Sequence, residues 1–155
     1  MNNFSNDNSQ NLTSDERLLA MLAHLSIFLG GIILPIILWA TQKDKSKFVT
    51  FNSLQAIFYH IAYAVIVLLF ILFVAFLVIL SGIGLSAFTD SNNGNGELSS
   101  FMIIMIVLLY CGIFVLIFLG IGYAVYLAVK TYQGNIIKIP LIGNLVYKKV
   151  YGENK

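Results

Sequence analysis

The feature that most limits what this chain can fold into is a lack of charge. Between Lys47 and Asp90 no residue carries a formal charge, and a second uncharged run extends from Leu98 to Val129. If lipid surrounds such runs, their backbone polar groups must be paired internally, and a helix does this within one segment. Only 10% of the 155 residues are charged and 59% are hydrophobic, with a mean hydropathy of +0.87. Soluble domains carry about a quarter charged residues, so the deficit points to a bilayer as solvent. The net charge of +2 is small, and no basic stretch with interleaved aromatics predicts a nucleic-acid partner. The single cysteine, Cys111, rules out an intrachain disulfide framework.

The expected fold is an all-α membrane protein with three transmembrane helices and a C-terminal interfacial segment. Residues 1–13 form a polar tail, 14–151 a single helical membrane domain, and 152–155 a short tail. Thr13 and Glu16 have the spacing of a capping box, which starts a helix near Ser14. The first apolar segment, 18–40, has 23 residues, or about 34 Å as a helix. Gly30, Gly31 and Pro35 weaken its middle, so a re-entrant hairpin broken at Gly30-Gly31 stands beside the full crossing. In the full crossing, Pro35 kinks the helix and Trp39 sits at the headgroup level. The second span is expected at 54–80, broken by Ser81-Gly82-Ile83-Gly84, and the third at 101–129. Gly120, Ala124 and Ala128 recur every fourth residue, a stripe that lets another helix approach closely. Residues 136–151, with Lys138, Lys148, Lys149, Tyr147 and Tyr151, are too interrupted to span and are expected at the membrane surface.

Bases set the orientation. Arg17 stands alone before the first segment, three lysines lie in the first loop, none in the second, and five in the C-terminal region. The positive-inside rule places the first loop and the C-terminus in the cytoplasm of a cell membrane. A full first crossing puts the N-terminus outside, and the hairpin returns it to the cytoplasm.

Polar residues in the apolar segments are the candidate site. His24, Phe28, Gly31 and Pro35 share one face of a continuous helix, and Asn52, Gln55, Tyr59 and Tyr63 form a stripe on the next segment. Together with His60 they outline a polar seam, because polar groups inside a membrane face partners or a water-filled path. Internal packing is the plain reading of that seam, and a binding groove or conduit is the functional one. In the full crossing the two histidines lie at different depths. No other Cys, His, Asp or Glu within a span completes a ligand set, so neither a metal nor a cofactor is expected. No span carries a carboxylate for acid–base work. Ser26 and His24, two residues apart, are expected on different helix faces and form no catalytic pair, which leaves an intramembrane hydrolase using His60 and a serine as a minor alternative.

The run HLSIFLGGIILPIILW followed by KDKSKFVTFNSLQAIF resembles the small prokaryotic membrane proteins called Tic-twenty-like, after a chloroplast protein-import component. The positions that carry the resemblance include His24, Gly30, Gly31, Pro35, Trp39, Asp44, Phe48 and Gln55, with Gly134 and Pro140 in a similar closing pattern. It covers about Asp15 to Val146. The chain departs from it at Asn52, where histidine is common, and in a longer linker around Asp90 to Ser100. The resemblance implies a multi-pass protein of the cytoplasmic membrane, with a translocation role by analogy only. The leading expectation is a non-enzymatic accessory or scaffold subunit, bound to the bilayer and to a membrane-protein partner or further copies of itself. An oligomeric transporter or channel-like component using the seam is the alternative, and a lipid-binding stress or immunity protein the third.

Overall fold

A computed structural model describes residues 12–29, 31–88 and 100–152, with side chains at 12–29, 31–80 and 103–152. The expectations for residues 1–11, Gly30, the linker 89–99 and residues 153–155 fall outside the described residues. The described chain is all helical: α1 (Ser14–Leu29), α2 (Ile33–Gln42), α3 (Lys47–Phe88), α4 (Ser100–Tyr132) and α5 (Ile142–Tyr151). Two helices among the described residues are long and apolar enough to cross a membrane, Lys47–Leu80 and Ile103–Tyr132. Three were expected, and the difference lies in the first apolar segment.

That segment is not one helix. α1 ends in a backbone bond from Gly31 N–H to the Ser26 carbonyl, 2.7 Å. Gly31 has φ +64°, a left-handed conformation that glycine adopts without the steric cost of a side chain. The chain then reverses, and Ala23 packs with Leu38 while Leu19, Leu22 and Leu34 close around them. In one continuous helix Ala23 and Leu38 would stand about 22 Å apart. At 16 and 10 residues, α1 and α2 are about 24 and 15 Å long, each short of the roughly 30 Å hydrocarbon core. The expected kink at Pro35 is also absent. Pro35 lies in the first turn of α2, where backbone N–H groups have no helical acceptor, so its missing donor costs little. Phe28, expected on a face with His24, is exposed while His24 is buried.

The N-terminus of α1 forms as the spacing predicts. Glu16 N–H donates to Thr13 Oγ1 (3.2 Å), and Thr13 N–H donates to a Glu16 carboxylate oxygen (2.9 Å). A hydrogen bond from Ser46 is the largest influence holding the Glu16 carboxyl below its ordinary range, followed by the Thr13 N–H. Ser46 also caps α3, accepting from Val49 N–H at 3.3 Å.

The chain divides into two compact units. The first holds the described residues up to Ala62 together with 120–152. Its centre is the start of α3, where every residue from Phe48 to Ala56 is buried. Phe48 and Val49 pack with Ala20, Leu12 and Ile136. Ala56 packs with the α1–α2 hairpin. Phe51 and Leu54 pack with Val146, Trp39, Ile142, Tyr147 and Tyr151, so α5 and the end of α2 close the remaining face. Trp39 thus belongs to an internal cluster rather than marking the end of a span. Gly120, Ala124 and Ala128 are buried in this unit.

The second unit comprises residues 63–119. α3 continues as helix through Ser81–Gly84, where a break was expected, to Phe88. Most large side chains of both helices are exposed here, among them Ile66, Leu69, Phe73, Phe76, Phe114 and Phe118, as lipid-facing surfaces are. Gly112 lies where an added Cβ would overlap the Phe70 ring, so its small size lets that ring pack closely.

α4 closes in a Schellman motif, with Asn135 N–H donating to Lys130 O and Gly134 N–H to Thr131 O. The connector then passes close to α5. A Cβ on Gly143 would sit 2.6 Å from Lys138 Cα, so this approach admits no side chain. Just before α5, Ile142 N–H donates to Pro140 O (2.8 Å) around Leu141, whose φ is +69°. This γ-turn geometry is strained for a non-glycine residue, by about 1–3 kcal/mol.

Gly143→Ala is expected to lower stability by about 1–3 kcal/mol by overpacking, read as earlier thermal unfolding in detergent. Tyr151, partly buried beside Tyr147 with Glu16 near, has its phenol pushed up to about 12, mainly by burial. The folded state favours the neutral phenol, so this contribution is complete below the ordinary value of about 10 and is lost as pH rises from there towards about 12. A titration of tyrosinate absorbance should show a late-titrating phenol that disappears in Tyr151→Phe, and loss of α5 packing in that window.

Candidate functional site: a buried polar network

Burying Phe48–Ala56 on every side also buries Thr50, Asn52, Ser53 and Gln55, and buried polar groups need partners. Thr50 returns its hydroxyl to the Ser46 carbonyl, 2.7 Å. Asn52 joins three elements. Its amide nitrogen donates to Phe48 O (2.9 Å), and its oxygen lies 3.2 Å from both Thr131 Oγ1 on α4 and His24 Nε2 on α1. With the Asn52 amide hydrogens directed at Phe48 O, the Asn52 oxygen is the acceptor and His24 Nε2 the donor. His24 Nδ1 and Ser53 Oγ are buried with no hydrogen-bond partner.

Gln55 makes a two-point clamp. Its amide nitrogen donates to Ile137 O and its oxygen accepts from Ile139 N–H, both at 2.8 Å. The side chain thereby pairs a non-helical backbone segment as a neighbouring strand would. One turn further along α3, the Tyr59 hydroxyl donates to Gly120 O at 2.8 Å, and its ring lies 5.8 Å from that of Tyr123. His60 pairs with Ser26 rather than with His24: Nε2 lies 2.8 Å from Ser26 Oγ. Ser26 also directs its hydroxyl at Ala23 O, 2.8 Å. With that hydrogen committed, His60 Nε2 donates to Ser26, opposite to the direction a general base requires. Ser26 is also fully buried. The expectation that Ser26 and His24 point away from each other fails in one respect, because both are buried and both reach α3.

Of the expected seam residues, His24, Asn52, Gln55, Tyr59 and His60 lie in the first unit, each bonded to atoms of this chain. Tyr63 lies in the second unit. Among the described residues no group of three or more His, Cys, Asp or Glu side chains is arranged to hold a metal ion. Sequence reasoning missed Thr131 and the 137–139 backbone. Thr131 had a weak signal, a hydroxyl just past Lys130 at the end of an apolar run. The Gln55 partners had none, because they are main-chain atoms 82 and 84 residues away.

Gln55→Leu would strand a backbone donor and acceptor, costing about 2–4 kcal/mol. Tyr59→Phe should cost nearer 1 kcal/mol. Denaturant unfolding of both variants in detergent gives the ratio, and equal effects would contradict the clamp.

Comparison with curated proteins and with solved structures gives no match. A protein-family model does match, over residues 15–146. That is almost the stretch over which the Tic-twenty-like resemblance runs, but the family is a different one, and the resemblance is corrected accordingly. By this match over most of its length, the chain belongs to the MamF/MmsF family, the magnetosome magnetite crystal formation protein family.

Proposed function

We propose that this chain is a non-enzymatic accessory subunit of the membrane in which magnetite crystals form. Family membership supports the process. The observation that carries the non-enzymatic role is the internal use of the polar network: Asn52, Gln55, Tyr59 and the Ser26–His60 pair are bound within the chain. Groups committed in this way hold a fold together and are poorly placed to handle a substrate. The protein then acts through its surfaces, on membrane-protein partners or further copies of itself.

Two crossing helices and a folded-back hairpin give an even number of crossings. The N-terminus, the first loop and the C-terminus then share one side, which the lysines make the cytoplasmic one. On this reading the N-terminus is cytoplasmic, as in the hairpin alternative. The segment between α3 and α4, with Asp90 and Glu97 and no Lys or Arg, would face the opposite compartment.

Two tests follow. A fluorescent protein fused at the N-terminus should fluoresce as strongly as one at the C-terminus, and a dark N-terminal fusion would restore the full crossing. In a magnetite-forming bacterium, deleting the gene should give fewer, smaller or misshapen crystals by electron microscopy, and Ser26→Ala should restore them fully. Unaltered crystals in the deletion would remove the role in crystal formation. Failure of a folded Ser26→Ala protein to restore them would overturn the non-enzymatic reading.

A further inference from the structure

Among the described residues the two most exposed large apolar side chains do not lie on the spanning helices. They are Leu141, 91% exposed, and Leu145, 72% exposed, at the start of α5. Leu145, Lys148 and Lys149 share one exposed face of α5, and Leu141 stands exposed at its N-cap, one turn before Leu145. Asn144 is exposed between them. The opposite face packs inward. Val146, Ile142, Tyr147, Val150 and Tyr151 pack around Phe51 and Leu54, and Lys138 Nζ lies 3.8 Å from the Tyr147 ring centroid. α5 is thus fixed by its inner face, while its outer face carries two leucines at one end and two bases at the other.

We infer that this outer face is an interfacial anchor for anionic lipid headgroups, with Leu141 and Leu145 seated at the acyl boundary and Lys148 and Lys149 at the phosphates. Three observations select lipid. Ile142–Tyr151 contains no acidic residue, so the face complements a negatively charged surface. Only residues 133–141 separate α5 from the end of α4, a helix long and apolar enough to cross a membrane, so a bilayer lies within reach of a short tether. Leu141 closes the turn bonded from Ile142 N–H to Pro140 O in a strained positive φ, yet its own side chain is almost wholly exposed and packs against nothing inside the chain. The anchor is independent of any role in crystal formation.

The test uses the full-length protein in vesicles. Cys111→Ser removes the native thiol, and Leu145→Cys carries an environment-sensitive fluorophore. In phosphatidylcholine containing phosphatidylglycerol the emission should shift to the blue and be quenched by bilayer-embedded quenchers. Omitting phosphatidylglycerol, or combining Lys148→Gln with Lys149→Gln, should abolish the shift, and high salt should reduce it. Circular dichroism of each variant reports whether the fold persists. Emission typical of water in both lipid mixtures overturns the proposal. So does burial of the probe that is equal in both mixtures, or that follows the protein-to-lipid ratio and so assigns the face to a second copy.

Discussion

The burial of nine consecutive residues at the start of α3 governs the rest of the structure. A helix covered on one side leaves its polar residues in water. Covering Phe48–Ala56 on all sides obliges each polar group to find a protein partner or bear the cost of desolvation. Asn52 draws in α1 and α4, and Gln55 draws in the connector before α5. The α1–α2 hairpin, the stripe of Gly120, Ala124 and Ala128, and α5 are the surfaces that close around this helix. The unit resembles a small soluble core in logic, with one helix inside and four segments around it. Residues 63–119 follow the opposite logic, with the large side chains turned outward and few buried.

The parts that could be read from the sequence are those set by local chemistry. The capping box at Thr13 and Glu16 fixes the start of α1, because both partners lie within one turn. The absence of charge identifies α3 and α4, because a helix pairs the backbone of so long an apolar run within one segment. What escaped depends on distant partners. A 23-residue apolar segment suits one crossing or a hairpin equally well by composition, and the choice rests on Ala23 finding Leu38. The helical wheel placed His24 with Gly31 and Pro35 by assuming that they share a helix, and the reversal at Gly31 voids that assumption. The break expected at Ser81–Gly84 illustrates the converse, since glycine and serine weaken a helix without ending it.

The candidate site was half legible. His24, Asn52, Gln55, Tyr59 and His60 stand out as polar residues in apolar segments, and five of the six expected positions lie in one unit. Their pairings did not stand out. Pairing His60 with Ser26 and His24 with Asn52 keeps the two imidazoles on separate partners. Residues that look like a conduit on a wheel are thus hydrogen-bonded within the chain.

The clamp at Gln55 also has a consequence in time. Its partners are made 82 and 84 residues after it, and Thr131 follows Asn52 by 79. At about 5–20 residues per second, synthesis leaves the Gln55 amide without either partner, and Asn52 without Thr131, for roughly 4–16 s while the intervening helices enter the membrane. The first unit therefore cannot close until its last quarter has emerged from the ribosome. During that interval the start of α3 is the part of the nascent chain most in need of a chaperone or of water.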